Sequence, residues 1–575
     1  MSSYYYISSN PIPYTILCSL SSVQIQKLRS GLNFLELPSR DPSKSKAKFI
    51  RLIIYQNPDK TLIVCRNLCR HAGGNFVHDI EDAPQIVRCA FHGWKLNVQT
   101  LEYTHPADCL KQKRLEIDQT NENEWLILEP ALYDPWMIDA KEKQVLQPDE
   151  LTVTFISHAC IEIQAGPTRL VIDPWLIGPA YDRSWWLLHD IDENSLERIA
   201  NADGIFISKS TPDHFNRCTL RRIVQLNPGI HVYSPEMLIS SLEQLGFVNT
   251  HSIRLGIWEE MPTSECRMMI LPDHKHPYDD CAFLFEYKGY RILNLVDCSS
   301  PNGDFLPYGV DVLLTNFTSN KNAYPSCFID QFNEKKVLQL AKNKDEKFLK
   351  SIIRFIQLSN PTVWIPVGGY FLEADEQIRC LNWKNDPMDV AEQLRTRFRY
   401  LKTWCPFPNG KYDVGSSTGD SPKRSVDDYL AKSWDFQYYN DQFEGILNNS
   451  SLETMKGVEE YFKWTLFNSY DLILHIVEVK DEFSDIIQEY YIDFLNSFPS
   501  FPPSRPIDRP YLRIRIHASV VRHVFLHGLS WNYVFNSFSG RYLAQPDVYH
   551  RKFWNHFKYN LPSTPPRIDE SSEQL

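Results

Sequence analysis

Two short pairs of cysteine and histidine are the residues in this 575-residue sequence with the clearest capacity for chemistry. One residue separates Cys69 from His71, and two residues separate Cys89 from His92. Thiolate sulfur and imidazole nitrogen both bind transition metals, so two such pairs supply four ligands from only two loops. We therefore expect Cys69, His71, Cys89 and His92 to hold one metal centre.

The ligand set and the spacing of the two pairs are typical of a Rieske 2Fe–2S cluster. In that cluster two thiolates hold one iron and two imidazoles hold the other, which raises the reduction potential above that of an all-cysteine cluster. A zinc site of two cysteines and two histidines is the alternative, but zinc fingers combine closely spaced cysteines with closely spaced histidines. A second alternative is that the four residues bind no metal and only make ordinary contacts inside a hydrophobic core. We predict a Rieske cluster that passes one electron at a time.

The elements around these pairs must bring two loops together. Gly73 and Gly74 follow the first pair and Gly93 follows the second, and a residue without a Cβ allows close approach of backbone. Short apolar runs at 49–55 and 61–64 are separated by turn residues. These features predict a small all-β module over residues 14–130.

Two further regions follow this module. Strand-like and helical runs alternate over residues 150–405, which predicts a layered α/β domain. Residues 425–566 are rich in aromatic residues and include the helical-looking segment 520–538, so we expect a mostly helical C-terminal region. Residues 567–575 are expected to form a disordered tail.

Composition limits the classes of partner and the compartment. Lysine and arginine number 60 against 71 aspartate and glutamate, a net charge of −11 that disfavours nucleic acid and anionic membranes as partners. No apolar run is long enough for membrane insertion, and no signal peptide is indicated. The 13 cysteines lack the regular spacing of a disulfide framework. We expect a cytoplasmic protein.

A second series of candidate metal ligands runs through the α/β region. A His158-Ala turn, an Asp173-Pro strand end, Asp213-His214, His276 and Asp297 follow one another in the chain. This order resembles the metallo-β-lactamase fold. The resemblance implies an αββα sandwich with a metal site along one edge of its sheets.

The closest resemblance is to the CMP-N-acetylneuraminate hydroxylase family, and it extends over about residues 14–566. It rests on the segments Asp173–Ala180, Trp185–His189, Val296–Cys298, Pro301–Gly303, Trp434–Phe436, Pro546–His550 and Phe553–His556. The resemblance implies a monooxygenase that converts the N-acetyl group of CMP-N-acetylneuraminate to N-glycolyl with dioxygen. It also implies electrons from cytochrome b5 and its NADH-dependent reductase. A Rieske cluster that feeds oxygen chemistry needs a second iron with open positions, so we expect a mononuclear iron in the second domain.

The sequence departs from the family at the main metal motif. The fold expects His-x-His-x-Asp-His, but Lys209 and Thr211 occupy the two histidine positions. A lysine ammonium has no lone pair, so a site for two metals is not expected. A single metal could be held by residues that remain, which are Asp213, His214, His276, Asp297 and Asp375. For His158, a hydrogen-bonding role beside the metal and direct ligation both stay open.

Lys209 and Thr211 also motivate an alternative function. In that alternative, the protein keeps its Rieske cluster, has lost hydroxylase activity, and acts in electron transfer or nucleotide-sugar binding. A hydroxylase acting on another N-acylated sugar nucleotide is a third hypothesis.

The cluster assignment predicts the effect of removing single ligands. Because the two pairs are its only protein anchors, C69S or H92A is expected to abolish the visible absorption of the purified protein. The neighbouring C65S, outside both pairs, serves as the control and should keep the spectrum. An unchanged spectrum in both ligand variants would remove the Rieske assignment.

Overall fold

The computed structural model describes most of the chain. The described residues are 14–40, 49–70, 74–80, 82–91, 93–105, 107–119, 121, 123–130, 135–137, 140–181, 184–261, 265–273, 280–319, 322–422, 455–480, 483, 485–495, 508–559 and 561–562. The predicted tail at 567–575 lies outside them. The described chain forms two compact units, one from residues up to 137 and one from residues 140–273 and 280–562.

The first unit is built from two antiparallel sheets, as the sequence predicts. A six-stranded sheet has the order β1-β11-β10-β4-β3-β2, and a five-stranded sheet has the order β5-β6-β7-β8-β9. The elements are β1 (Tyr14–Ser21), α1 (Ser22–Gln26), β2 (Gly31–Pro38), β3 (Phe49–Gln56), β4 (Leu62–Arg66), β5 (Phe76–Val77), β6 (Ile86–Cys89), β7 (Lys95–Asn97), β8 (Glu102–His105), β9 (Ala107–Lys111), β10 (Arg114–Asp118) and β11 (Glu124–Pro130).

The second unit begins with two large mixed sheets. One has the order β18-β17-β16-β14-β13-β12-β27-β28, the other β19-β20-β21-β22-β23-β24-β26, and β15 pairs with β25. The strands are β12 (Leu151–Ser157), β13 (Cys160–Ala165), β14 (Thr168–Ile172), β15 (Trp185–Leu187), β16 (Gly204–Phe206), β17 (His231–Pro235), β18 (Asn249–Ile253), β19 (Glu259–Glu260), β20 (Cys266–Pro272), β21 (Cys281–Tyr287), β22 (Tyr290–Asn294), β23 (Val312–Thr315), β24 (Val363–Pro366), β25 (Phe371–Glu373), β26 (Lys402–Thr403), β27 (Lys411–Asp413) and β28 (Thr418–Gly419).

The two sheets pack face to face with helices outside them. The rings of Phe206 on β16 and Phe283 on β21 stack across the interface with centroids 4.2 Å apart. The helices of this part are α2 (Ser195–Ala200), α3 (Arg217–Leu226), α4 (Glu236–Leu245), α5 (Glu334–Ser359), α6 (Glu376–Leu381) and α7 (Pro387–Arg397). Buried apolar residues of α2, α3 and α4 cover the first sheet, and α5 lies against β23. The αββα sandwich predicted from the resemblance is confirmed.

The C-terminal part of the second unit contains helices, as expected, and a four-stranded sheet in addition. The helices are α8 (Met455–Thr465), α9 (Ala518–His527), α10 (Trp531–Asn536) and α11 (Arg551–Tyr559). The strands are β29 (Ile473–Val479), β30 (Ile486–Asp493), β31 (Tyr511–His517) and β32 (Gly540–Gln545), in the order β30-β29-β31-β32. All seven residues of β29 are buried, so its sequence lacks the alternation by which a half-exposed strand is recognised.

This C-terminal part shares one hydrophobic core with the sandwich. Trp175, Trp185 and Phe371 belong to the same buried cluster as Tyr461 and Phe535. Among the residues that the structure describes, no helix combines the length and the apolar character needed to cross a membrane.

Removing a charge from a buried ion pair of the second sheet should lower the free energy of unfolding more than removing a charge from an exposed pair. Glu286 is fully buried, and its carboxylate pairs with Arg267 Nη2 at 2.6 Å and Arg291 Nε at 2.9 Å. E286M leaves two guanidinium groups without that carboxylate, so the free energy of unfolding should fall by about 3–5 kcal/mol, measured by chemical denaturation. R254M removes an exposed pair with Glu259 and should cost less than about 1 kcal/mol. Equal losses of unfolding free energy in E286M and R254M would contradict this expectation.

Candidate functional site

The two cysteines of the first unit that are predicted ligands lie at the starts of short loops and make similar hydrogen bonds. Cys69 follows β4 and Cys89 ends β6, and both are buried. The Cys69 N–H donates to the Gly74 carbonyl at 2.7 Å, and the Cys89 N–H donates to the Trp94 carbonyl at 2.7 Å. A backbone hydrogen bond therefore joins each cysteine to a residue five positions later in the chain.

The two loops approach each other closely enough to share one centre. A Cβ added at Gly74 would lie 2.7 Å from Cys89 Sγ and 2.9 Å from the Phe91 ring, so only glycine fits there. The Ala90 N–H also donates to the Asn75 carbonyl at 2.9 Å. The described thiols therefore fit a cluster bound between two loops. The predicted ligands His71 and His92 lie outside the described residues.

A buried tyrosine interacts with one of these sulfurs. Tyr103 Oη lies 3.4 Å from Cys69 Sγ, where its O–H donates to the sulfur. Burial and the neighbouring Cys69 raise the pKa of Tyr103, so the phenol stays protonated as a donor. Hydrogen bonds to cluster sulfurs raise the reduction potential.

The second group of candidate ligands lies at one edge of the sandwich. His158 follows β12, Asp173 follows β14, and Asp297 follows β22. Asp213 and His214 lie in the turn that connects β16 to α3. Because these strands end at the same edge, side chains far apart in the sequence come together there.

Three of these residues form a compact group of ligand atoms. His158, Asp213 and His214 each offer one ligand atom, and the three atoms lie within 4.8 Å of one another. His214 Nε2 is 3.3 Å and His158 Nε2 is 3.6 Å from Asp213 Oδ2. Two atoms that each lie about 2.1 Å from one metal ion, at angles of about 90–120°, are roughly 3.0–3.6 Å apart. The spacing therefore fits one metal ion.

His214 is oriented with one nitrogen held and the other available. Its Nδ1 lies 2.7 Å from Asp173 Oδ2, and Asp173 Oδ1 accepts from the Ser208 N–H at 2.8 Å. No described residue hydrogen-bonds to the buried His214 Nε2. A carboxylate that accepts from Nδ1–H leaves the Nε2 lone pair for a metal. This nitrogen makes no hydrogen bond to a described residue but lies 3.3 Å from both Asp213 Oδ2 and Asp297 Oδ2, an arrangement that supports a metal site.

The electrostatics of the group favour a cation. Burial lowers the pKa of His158, although Asp213 opposes the shift, so this imidazole is neutral at neutral pH. Burial opposes ionisation of Asp213, but His214 and Lys209 lower its pKa well below the ordinary value. Burial and Lys209 lower the pKa of His214, while Asp213 and Asp173 raise it by more. Metal binding should therefore displace a proton from His214.

Lys209 occupies the place where the sequence lacks a histidine. Its buried ammonium pairs with Asp297 Oδ2, and Asp297 Oδ1 accepts from Asn316 Nδ2 at 3.0 Å. The same Oδ2 lies 3.3 Å from His214 Nε2. Asp297 thus lies between the ammonium and the ligand group.

The predicted metal ligands have different surroundings. Asp213, His214 and Asp297 come together, whereas His276 lies outside the described residues. Asp375 caps α6, accepts from the Ile378 N–H at 3.0 Å and pairs with Arg541. Among the described residues, it is not part of the compact ligand group.

His158 is a candidate ligand for which the sequence left two roles open. It lies far from Asp213 in the chain, but its position directly after a fully buried strand places it at the ligand edge. Its φ of 35° turns the chain sharply there, and its ring packs against Trp175 with centroids 5.2 Å apart. A histidine directly after a buried strand was the available signal.

Two family models match the chain. The Rieske [2Fe-2S] domain matches residues 33–111, and the Beta-lactamase superfamily domain matches residues 152–324. With the two ligand groups, these matches define the class: an iron–sulfur oxidoreductase with a metal-binding domain of the β-lactamase superfamily.

Curated relatives match nearly the full length. Cytidine monophosphate-N-acetylneuraminic acid hydroxylase from Pan troglodytes is 34% identical over 572 residues, covering 96% of this chain and 95% of the relative. The Xenopus laevis protein of that name is 35% identical over 570 residues, covering 96% and 94%. The Mus musculus protein is 34% identical over 571 residues, covering 96% of each. The chain belongs to the cytidine monophosphate-N-acetylneuraminic acid hydroxylase family, which confirms the resemblance seen in its motifs.

The carboxylate behind His214 should control metal retention. D173N leaves a single acceptor oxygen, which cannot accept from both His214 Nδ1–H and the Ser208 N–H, so the ring is held less firmly. We expect metal affinity at this site to fall about 10–100-fold, measured by retention of metal against a chelator. D203N, an aspartate that accepts from the Arg169 N–H elsewhere on the sandwich, should have no effect. Unchanged retention in D173N would contradict the assigned role.

Proposed function

We propose that this chain hydroxylates the N-acetyl methyl group of CMP-N-acetylneuraminate, giving the N-glycolyl product. One oxygen atom of dioxygen enters the new C–OH bond, and the other leaves as water with two electrons and two protons. The observation that carries this proposal is the ligand group of His158, Asp213 and His214 in a chain that matches a member of the family over 96% of its residues. The substrate is taken from the names of the relatives.

We further propose the electron source and the location. Cytochrome b5, reduced by its NADH-dependent reductase, would supply electrons one at a time to the cluster in the cytoplasm. Cys69, His71, Cys89 and His92 would hold that cluster. The domain boundaries 14–130, 150–405 and 425–566 stay predictions.

Residues of the second unit would hold and shield the second metal. An iron bound by His158, Asp213 and His214 would supply the capacity to activate dioxygen. Asp173 holds the proton on His214 Nδ1, which keeps Nε2 directed at the metal. The Trp175 and Phe371 rings pack against the His158 ring and exclude water from that side. His276 and Asp375 stay predicted ligands.

The alternative of a protein without hydroxylase activity rested on Lys209 and Thr211. Those two positions do not remove the ligand group, because His158 provides an imidazole from a different strand. The group of His158, Asp213 and His214 therefore needs no ligand atom from either position.

A reconstituted assay tests the proposed reaction. Iron-loaded protein with CMP-N-acetylneuraminate, cytochrome b5, its reductase and NADH in air should give a product one oxygen atom heavier, detected by mass spectrometry. C69S should give none, and omission of cytochrome b5 should stop turnover. H214A should keep the cluster spectrum but form no product. NADH oxidation without product in the wild-type protein would contradict the proposal.

The same assay separates the hypotheses on substrate. Other N-acylated sugar nucleotides should be converted poorly or not at all. Faster conversion of another sugar nucleotide would keep the reaction class and change the substrate.

A further inference from the structure

Lys209 and Asp297 form a buried ion pair directly beside the ligand group. Lys209 is 7% exposed, and its ammonium contacts the Asp297 oxygen that lies 3.3 Å from His214 Nε2. A positive charge is thus fixed on one side of this carboxylate, and the ligand group lies on the other.

Several neighbouring carboxylates keep that positive charge in place. Burial alone would lower the pKa of Lys209, but Asp297, Asp280 and Asp213 raise it above the ordinary value. Burial also opposes ionisation of Asp297, yet Lys209 and His214 lower the pKa of that carboxyl group. The buried contact itself carries the argument, because the Lys209 ammonium faces the Asp297 carboxylate directly beside the ligand group.

Asp297 Oδ2 faces both Lys209 and His214, so this ion pair affects how many metal ions the site can bind. A carboxylate that bridges two metal ions must direct lone pairs to both of them. Here the lone pairs of Asp297 Oδ2 are divided between Lys209 Nζ and the side facing His214. A second divalent ion beside Asp297 would have to displace the ammonium or accept its repulsion at contact distance.

We propose that Lys209 acts as a fixed internal cation in place of a second metal ion and limits this domain to one metal. This inference rests on the proposed metal site of His158, Asp213 and His214. Lys209 is a positioning residue in this account: it holds Asp297 and excludes a second ion, and it does not bind the metal.

This role is tested by measuring the iron content per chain of variants in which the missing histidines at positions 209 and 211 are restored. The holoprotein should contain three irons per chain, two in the cluster and one in the second domain. T211H adds one imidazole but keeps Lys209, so it should remain at three irons. K209H/T211H restores both imidazoles and removes the ammonium, so it should take up a fourth iron that is spin-coupled to the third. K209R/T211H keeps the positive charge and should remain at three.

A second measurement isolates the charge from the added ligands. K209M removes the ammonium without adding a ligand, and iron retention against a chelator should strengthen about tenfold or more. A purely structural pair would give weaker retention instead. K288M, which removes a lysine paired with Glu150 elsewhere in the sandwich, should leave retention unchanged.

The outcomes are decisive in both directions. A fourth iron in T211H, three irons in K209H/T211H, or weaker retention in K209M would overturn the role of Lys209. Two irons in the wild-type protein would remove the metal site and this inference with it. Three irons without hydroxylation would contradict the proposed function and leave the role of Lys209 intact.

Discussion

Burial of several carboxylates at one edge of the sandwich is the constraint on which the second unit depends. A carboxylate removed from water is costly unless hydrogen bonds or positive charge compensate it. Three of these carboxylates have dedicated partners: Ser208 and His214 for Asp173, Tyr181 for Asp213, and Asn316 and Lys209 for Asp297. The same partners leave His214 Nε2 directed at the ligand group, so the compensation that stabilises the fold also orders the metal site.

The C-terminal part of the chain contributes to this compensation indirectly. Tyr181 donates to Asp213 Oδ1 at 3.0 Å, and its ring packs on Tyr533 with centroids 5.6 Å apart. Trp185 Nε1 donates to the Asn536 carbonyl at 3.0 Å. The segment that carries the donor to Asp213 is therefore held by residues of α10. This explains in physical terms why one hydrophobic core extends from the sandwich into the C-terminal helices.

Local spacing decided which features could be predicted from the sequence. Cys69 and Cys89 could be assigned because cluster ligands need particular residue types at short separations. His158 could not be distinguished from a hydrogen-bonding residue, because only the sheet brings it to Asp213. Asp375 matched a ligand position, but a carboxylate before a helix serves equally well as a cap. The uniformly buried β29 gave no alternating pattern, so its sheet was missed.

Mössbauer spectroscopy of protein loaded with isotopically enriched iron tests the central claim most directly. The account predicts two components in a ratio of two to one: a Rieske cluster and a single iron without spin coupling to another. In H214A, the single iron should be lost while the cluster component remains. A spectrum of the wild-type protein containing the cluster alone, or a coupled iron pair in the second domain, would contradict the account.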